Sequence, residues 1–435
     1  MKFVSTKNNC PNVSLKQAVF QGLAPDEGLY FPETLPQLSI KEFETIADKP
    51  FNEMAFHILK HFALPEMENN QLKEIIDLAF DFEPKLVEIN DNQYILELFH
   101  GPTLAFKDFG ANLLASLMCT LLNKDERLTI LVATSGDTGS AVAHAFHNKP
   151  NIDVVILFPK GKISDNQEKQ FSTLGNNVYS LAIDGTFDDC QALAKKSFMD
   201  TPFKEKHSLS SANSINIGRL LPQSLYYAYA YAQLLTKNKK VIFSVPSGNI
   251  GNLTSGLLVS KMYQFNCHFI AALNNNKVFH DYLNSGNYSP RPSVETLANA
   301  MDVGDPSNFD RLNFFYKQDV NNFRKDITSY SFNDDDTLRL IKDCWQKNQY
   351  LVDPHTAISY GGSLQFAQKS KDVVSSVTLA TADPSKFPDV IEKAVNLTPK
   401  IPERLQICLN KKSQSIDCSV GYNTFKEKIN SLLSL

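Results

Sequence analysis

Six short apolar runs, each followed by a polar or glycine-rich stretch, constrain this chain more than any other feature. The runs at 129–134, 154–158, 178–183, 241–245, 269–273 and 377–381 are rich in β-branched residues and too short for buried helices. They read as strands covered on both faces. Helix-period patterns lie between several of them, as at 220–235 with Tyr226, Tyr227, Tyr229 and Tyr231. Alternating strand and helix predicts an α/β fold of parallel, doubly wound sheets with right-handed crossovers. The first ninety residues differ, with a Pro/Gly-rich opening at 22–28 and helix-period patterns near 51–62 and 72–80. The expected division is a small, mostly helical N-terminal domain over 1–90, a smaller α/β domain over 91–240 carrying Lys107, and a larger one over 241–435. Exchange of segments between the two α/β domains is allowed for.

Composition removes several function classes. A length of 435 residues suggests two or three domains, and 43 basic against 47 acidic residues give a formal charge of −4. With no basic tail or helix, no nucleic-acid partner is expected. No run reaches the roughly 18 apolar residues of a membrane span, and Met1-Lys2-Phe3-Val4-Ser5 lacks the apolar core of a signal peptide, so a cytoplasmic location is predicted. Seven cysteines without a C-x-x-C fit a reducing compartment and no zinc site. His57/His61 and His144/His147 lack a third ligand nearby, so no metal is expected.

The loops after the strands are more informative. Stretches at 135–140, 159–164, 247–252 and 382–386 would converge where open α/β sheets bind ligands, outside the carboxyl ends of their strands. Gly248-Asn249-Ile250-Gly251-Asn252 can turn successive N–H groups toward one point ahead of a helix, a cradle for phosphate, or can be an ordinary capped turn. It matches neither G-x-G-x-x-G nor the P-loop, which removes the main support for dinucleotide and NTP binding. Ser135-Gly136-Asp137-Thr138-Gly139-Ser140 is a second anion-friendly turn in which Asp137 can cap the following helix. Lys107 stands between Phe106 and Phe109 at the start of an apolar helix. Desolvation there would favour the neutral, nucleophilic amine that forms Schiff bases, the alternative being a lysine snorkelling to the surface. Asp353-Pro354-His355-Thr356-Ala357 is a polar turn or a helix start.

Taken in order, these motifs resemble the threonine synthase family of fold-type II pyridoxal-phosphate (PLP) enzymes. The resemblance is carried by His100-Gly101-Pro102-Thr103 with Phe106-Lys107-Asp108, then Ser135 to Gly139, then Pro246-Ser247-Gly248-Asn249. It extends to Gly22-Leu23-Ala24-Pro25-Asp26, Gly28 to Pro32, Ser211 to Asn216 with Arg219, Ala300-Met301-Asp302-Val303-Gly304, Pro306-Ser307-Asn308 and Asp353 to Ala357. The N-terminal motif is similar to that of the longer family branch, which has an extra N-terminal domain. One motif departs: the family usually reads Thr-Ala-His-Pro where this chain has Thr381-Ala382-Asp383-Pro384. Any contribution of that histidine is therefore missing from position 383.

The resemblance implies a carbon–oxygen lyase acting on O-phospho-L-homoserine, releasing phosphate by γ-elimination and adding water at Cβ to give L-threonine. It implies that Lys107 holds PLP, that Gly248, Asn249, Ile250, Gly251 and Asn252 bind its phosphate, that Asp137 lies near its ring hydroxyl, and that Thr381 bonds its ring nitrogen. Ser135, Thr138, Lys160, Lys162, Ser164, Asn213, Ser214, Asn216 and Arg219 are the expected substrate contacts. The expected assembly is a monomer or homodimer. Two rivals differ in class. A cysteine synthase or threonine dehydratase would lack the N-terminal domain and the 214–219 motif, and a non-catalytic phosphometabolite sensor would not need Lys107.

Overall fold

A computed structural model describes residues 1–237, 239–370 and 373–433. The N-terminal region pairs strands β1 (Phe3–Ser5) and β2 (Tyr30–Pro32) antiparallel and adds helices Leu15–Gln21, Ile40–Ala47, Phe51–Ala63 and Asn69–Ala79. Ser14 with Gln17 and Ser39 with Glu42 form reciprocal capping boxes that start the first two helices. In Phe51–Ala63 the buried residues Phe51, Met54, Ala55, Ile58, Leu59 and Phe62 recur every three to four positions, the period expected from sequence. This region shares its core with the rest of the chain: the Phe43 ring lies 4.6 Å from that of Phe265 and 5.2 Å from that of Tyr263.

Six further strands follow: β3 (Lys85–Asn90), β4 (Gln93–Glu97), β5 (Leu128–Ala133), β6 (Ile152–Pro159), β7 (Val178–Ile183) and β8 (Leu209–Ser211). The last five are β9 (Lys240–Pro246), β10 (Cys267–Leu273), β11 (Ile327–Ser331), β12 (Val374–Ala380) and β13 (Ile416–Cys418). They form a six-stranded sheet, β11-β10-β9-β12-β4-β3, and a five-stranded sheet, β13-β7-β6-β5-β8. Every pairing in the two is parallel except β3 with β4.

The six sequence-read strands are all present, and alternation explains their burial. Ile130, Val132, Val154 and Ile156 enter one core, while Leu131, Ala133, Val155 and Leu157 enter another on the opposite face of the sheet. Sheet membership, however, does not follow the boundary expected near 240. Residues 85–97 pair into the sheet built from 240–380, and β13 returns to extend the sheet built from 128–211. Parallel pairing has no local turn to fix its partner, so distant segments settle wherever an edge and a buried face are available.

Candidate active site

The loops leaving β5, β9 and β12 line one cavity between the two sheets, enclosing about 1000 Å³ of space that includes its open mouth. Backbone ladders set this convergence. Leu98 N–H donates to Ala380 O, Phe106 N–H to Thr381 O and Asp383 N–H to Leu104 O, zipping the approach to Lys107 along the end of β12. Lys107 opens helix Lys107–Leu121, with Nζ 5.5 Å from the Phe106 ring centroid. Phe109 does not flank it as expected. Two residues on, about 200° around the helix, Phe109 lies on the core side against Phe51, Phe80, Phe82 and Tyr226. Asp108 turns inward instead, accepting from Thr103 Oγ1 at 2.5 Å and Thr103 N at 2.9 Å, and its burial pushes the carboxyl up to about 6.

Burial lowers the Lys107 ammonium pKa, Asp137 opposes that, and Lys386 and Arg219 push it further down. Nζ lies 3.7 Å from Asp137 Oδ2. Asp137 Oδ1 accepts from Gln167 Nε2 at 2.9 Å and lies 2.8 Å from Lys386 Nζ. Burial favours its neutral form, but the Lys386 and then the Lys107 charges outweigh this and hold Asp137 well below the usual carboxylate range. Gly136, at φ 131°, makes the turn before Asp137; a Cβ there would stand 2.6 Å from the Gln167 side chain.

Gly248 to Asn252 join β9 to helix Gly251–Tyr263. Ile250 caps this helix at φ 50°, ψ 10°, left-handed backbone that costs a β-branched residue roughly 1–2 kcal/mol. No acceptor among the described residues takes the N–H groups of Gly248, Asn249, Ile250, Gly251 or Asn252. A cradle of unpaired N–H groups at a helix N-terminus suits a phosphate, and a desolvated lysine on the facing loop suits an aldehyde, so these residues fit PLP. Asn252 is fixed by hydroxyl bonds to Oδ1 from Tyr226 at 2.5 Å and Tyr227 at 2.7 Å. Asn249 Nδ2 donates to Ser214 Oγ at 2.8 Å.

Of the expected residues, Lys107, Asp137, Gly248, Asn249, Ile250, Gly251, Asn252, Thr381, Ser135, Thr138, Asn213, Ser214 and Arg219 line this cavity. Lys162 and Ser164 line an adjoining pocket that shares Ser135, Phe187 and Asp302 with it. Two expected contacts lie elsewhere. Lys160 is exposed and pairs with Asp417 at 2.7 Å, because β13 docks beside its strand's neighbour. Asn216 is fully buried, donates to Val19 O and Ser211 O at 2.8 Å, and caps Ile217–Leu220 through Gly218 N. Asp383, where the family usually has histidine, caps the turn Pro384–Lys386, its Oδ1 accepting from Ser385 N at 2.8 Å.

Sequence reasoning left out Lys386, Asp302 and His355 as site residues. Asp302 accepts from Asn274 Nδ2 and Thr296 Oγ1, both at 2.7 Å, and burial pushes its carboxyl up to about 6. His355 Nε2 accepts from Ala300 N at 3.1 Å, so Nδ1 carries the proton and donates to Asp353 Oδ2 at 2.6 Å. The signals in sequence were that Asp302 and His355 stand in motifs carrying the family resemblance and that His355 lies in a polar turn. Among the described residues no helix is long and apolar enough to cross a membrane, and no cluster could hold a metal ion.

Comparison with known proteins matches three family models: threonine synthase N terminus over residues 2–80, pyridoxal-phosphate dependent enzyme over 85–381, and threonine synthase, C-terminal, over 356–429. The threonine synthase of Buchnera aphidicola subsp. Schizaphis graminum is 41% identical over 98% of this chain and 99% of its own. That of Escherichia coli K12 is 41% identical over 93% of this chain and 94% of its own. The solved E. coli threonine synthase superposes with TM-score 0.92 at 38% identity, covering 99% of this chain and 100% of that one. A PLP-bound threonine synthase from Brucella melitensis gives 0.92 at 34% identity, with 99% of each chain covered. A threonine deaminase from Solanum lycopersicum, at 18% identity and TM-score 0.58, shares the fold alone. With matching models from residue 2 to residue 429 and relatives spanning nearly its whole length, this chain belongs to the threonine synthase family of PLP-dependent enzymes.

Proposed function

We propose that the substrate is O-phospho-L-homoserine, converted with water to L-threonine and phosphate, and that Lys107 is the residue to which PLP attaches. The observation that carries this reading is the desolvated Lys107 facing a cradle of unpaired N–H groups across one cavity. PLP, when bound, supplies the electron sink for carbanion chemistry. Gly248 to Asn252 would hold its phosphate, Asp137 would face its ring hydroxyl, and the Thr381 hydroxyl would meet its ring nitrogen without adding a proton.

The chain's part in the reaction is binding and proton transfer. Lys107 Nζ, freed when substrate binds, takes the Cα proton and stands beside Cβ and Cγ as a general base and acid. Phosphate leaves Cγ, which gains a proton; Cβ loses a proton and gains the hydroxyl of water; Cα is reprotonated. Arg219, Asn213, Ser214, Ser135 and Thr138 are the candidate ligands of the leaving phosphate and substrate, with Lys162 and Ser164 at the adjoining pocket. His355 serves as a fixed strut, since both ring nitrogens are bonded. The proposed setting is the cytoplasm, as a monomer or homodimer.

Purified protein supplied with PLP and O-phosphohomoserine should release phosphate and threonine in equal amounts. Borohydride should bleach the visible absorbance and leave the pyridoxyl group on Lys107. Phosphate release without threonine, or an adduct on another lysine, would refute the assignment.

A further inference from the structure

Two buried lysines face one carboxylate. Lys386 has no exposed surface, and its Nζ lies 2.8 Å from Asp137 Oδ1 and donates to Thr103 O at 2.8 Å. Lys107 Nζ stands 3.7 Å from Oδ2 of the same carboxylate, beyond hydrogen-bond reach. The three groups come from separate segments: the turn after β12, the helix start after β5, and the helix start at Lys107.

A buried ammonium is costly unless matched by an anion, and one carboxylate cannot fully match two. The tighter pair is Lys386 with Asp137. Lys107 is left beside an anion already engaged and a second lysine ammonium, and losing its own proton relieves the excess charge. We propose that Lys386 is a positioning residue: by occupying Asp137 it stops that carboxylate from fixing Lys107 as an ammonium, and so presents Lys107 as the neutral amine that takes up the cofactor aldehyde. The proposal rests on the reading of Lys107 as the cofactor lysine.

Among the described residues, none of the other charged groups around Lys107 engages Asp137. Arg219, on Ile217–Leu220, adds a cation and acts in the same direction as Lys386. Asp108, next in sequence, is turned to Thr103. Across the cavity Asp302 is held by Asn274 and Thr296, and His355 by Asp353 and the Ala300 N–H. Asp137 is thus the anion that decides the state of Lys107, and Lys386 decides how much of Asp137 is available.

The test uses full-length protein stripped of cofactor, with PLP added back and the growth of visible absorbance followed across pH. Borohydride reduction and peptide mapping locate the adduct in each variant. Lys386→Met should raise the pH midpoint of recombination by at least about one unit, slowing it about tenfold at a fixed pH below that midpoint. Lys386→Met with Asp137→Asn removes both charges and should return the pH midpoint to the wild-type value or below, the plateau rate being left out of the comparison because Asp137 also faces the cofactor. A double variant whose midpoint stays as high as that of Lys386→Met would overturn the proposal, since the rise would then owe nothing to the Asp137 charge. So would an unmoved midpoint in Lys386→Met with the adduct on Lys107. If Lys386→Met does not fold, Asp137→Asn alone decides: it leaves Lys386 beside Lys107 without the anion, so the midpoint should fall, and an unchanged one refutes the idea. An adduct on another lysine in the wild type would instead remove the cofactor assignment, and the proposal with it.

Discussion

Replacing Gly248 with alanine probes whether the phosphate cradle depends on close backbone approach. A Cβ at Gly248 would stand 2.7 Å from Met301 Cα and 3.2 Å from Ala300 O. Ordinary contact begins near 3.4 Å, so the segments must part by about 0.7 Å (3.4 − 2.7). Both contacts are main chain, and no rotamer change relieves them. Overpacking of this kind costs roughly 1–3 kcal/mol. Residues 248–252 and 300–303 both line the cavity, so their separation moves the cradle itself. A misplacement approaching 1 Å can cost up to about a hundredfold in rate. Gly248→Ala should therefore lower kcat/KM for phosphate release by about 10- to 100-fold and weaken PLP binding in a fluorescence titration. Gly251→Ala is the internal comparison, because its Cβ meets only side chains, the nearest being Asn308 Nδ2 at 3.1 Å. That contact needs about 0.3 Å (3.4 − 3.1), and kcat/KM should stay within about threefold. A Gly248→Ala enzyme within twofold of wild type in both measurements, or a Gly251→Ala enzyme equally damaged, would refute the steric argument.

Three other outcomes are expected. Asp108 has its carboxyl raised from 3.8 to about 6, so the folded state loses stability as pH climbs from about 4 through 6; Asp108→Asn, able to bond Thr103 through its amide, should gain up to about 3 kcal/mol on wild type across that window in urea titrations, and a pH-independent difference would count against it. Arg311, fully buried, donates to Tyr30 O at 3.0 Å, Ser214 O at 2.8 Å, Ile215 O at 2.5 Å and Asn308 Oδ1 at 2.6 Å. Arg311→Met strands three main-chain carbonyls and the Asn308 amide oxygen and should destabilise by at least about 3 kcal/mol while disordering the Ser214 side of the cavity; a loss under about 1 kcal/mol would mean other donors replace it. Lys160→Ala removes a surface ion pair and should leave KM for O-phosphohomoserine within twofold, whereas a tenfold rise would return Lys160 to the substrate site.

The six strands read at 129–134, 154–158, 178–183, 241–245, 269–273 and 377–381 were legible in the sequence because burial on both faces imposes its pattern locally, whereas the edge strands β3, β8, β11 and β13 carry no such run. The alternation of Ile130, Val132 and Leu131, Ala133 into opposite cores is written in the residues themselves. So was the glycine loop at 248–252, whose residue types carry the freedom to turn N–H groups toward one point. Tertiary structure decided which segments meet. Parallel pairing brings β4 beside β12, more than 270 residues away, and carries β13 back to β7, and no local pattern encodes such partners. The same is true of charge. Lys160 and Lys386 look alike in sequence, each a lysine just beyond a strand, yet one faces solvent with Asp417 and the other lies buried against Asp137. What a lysine does depends on the dielectric and the counter-charge around its ammonium, and both are set by segments distant in the chain.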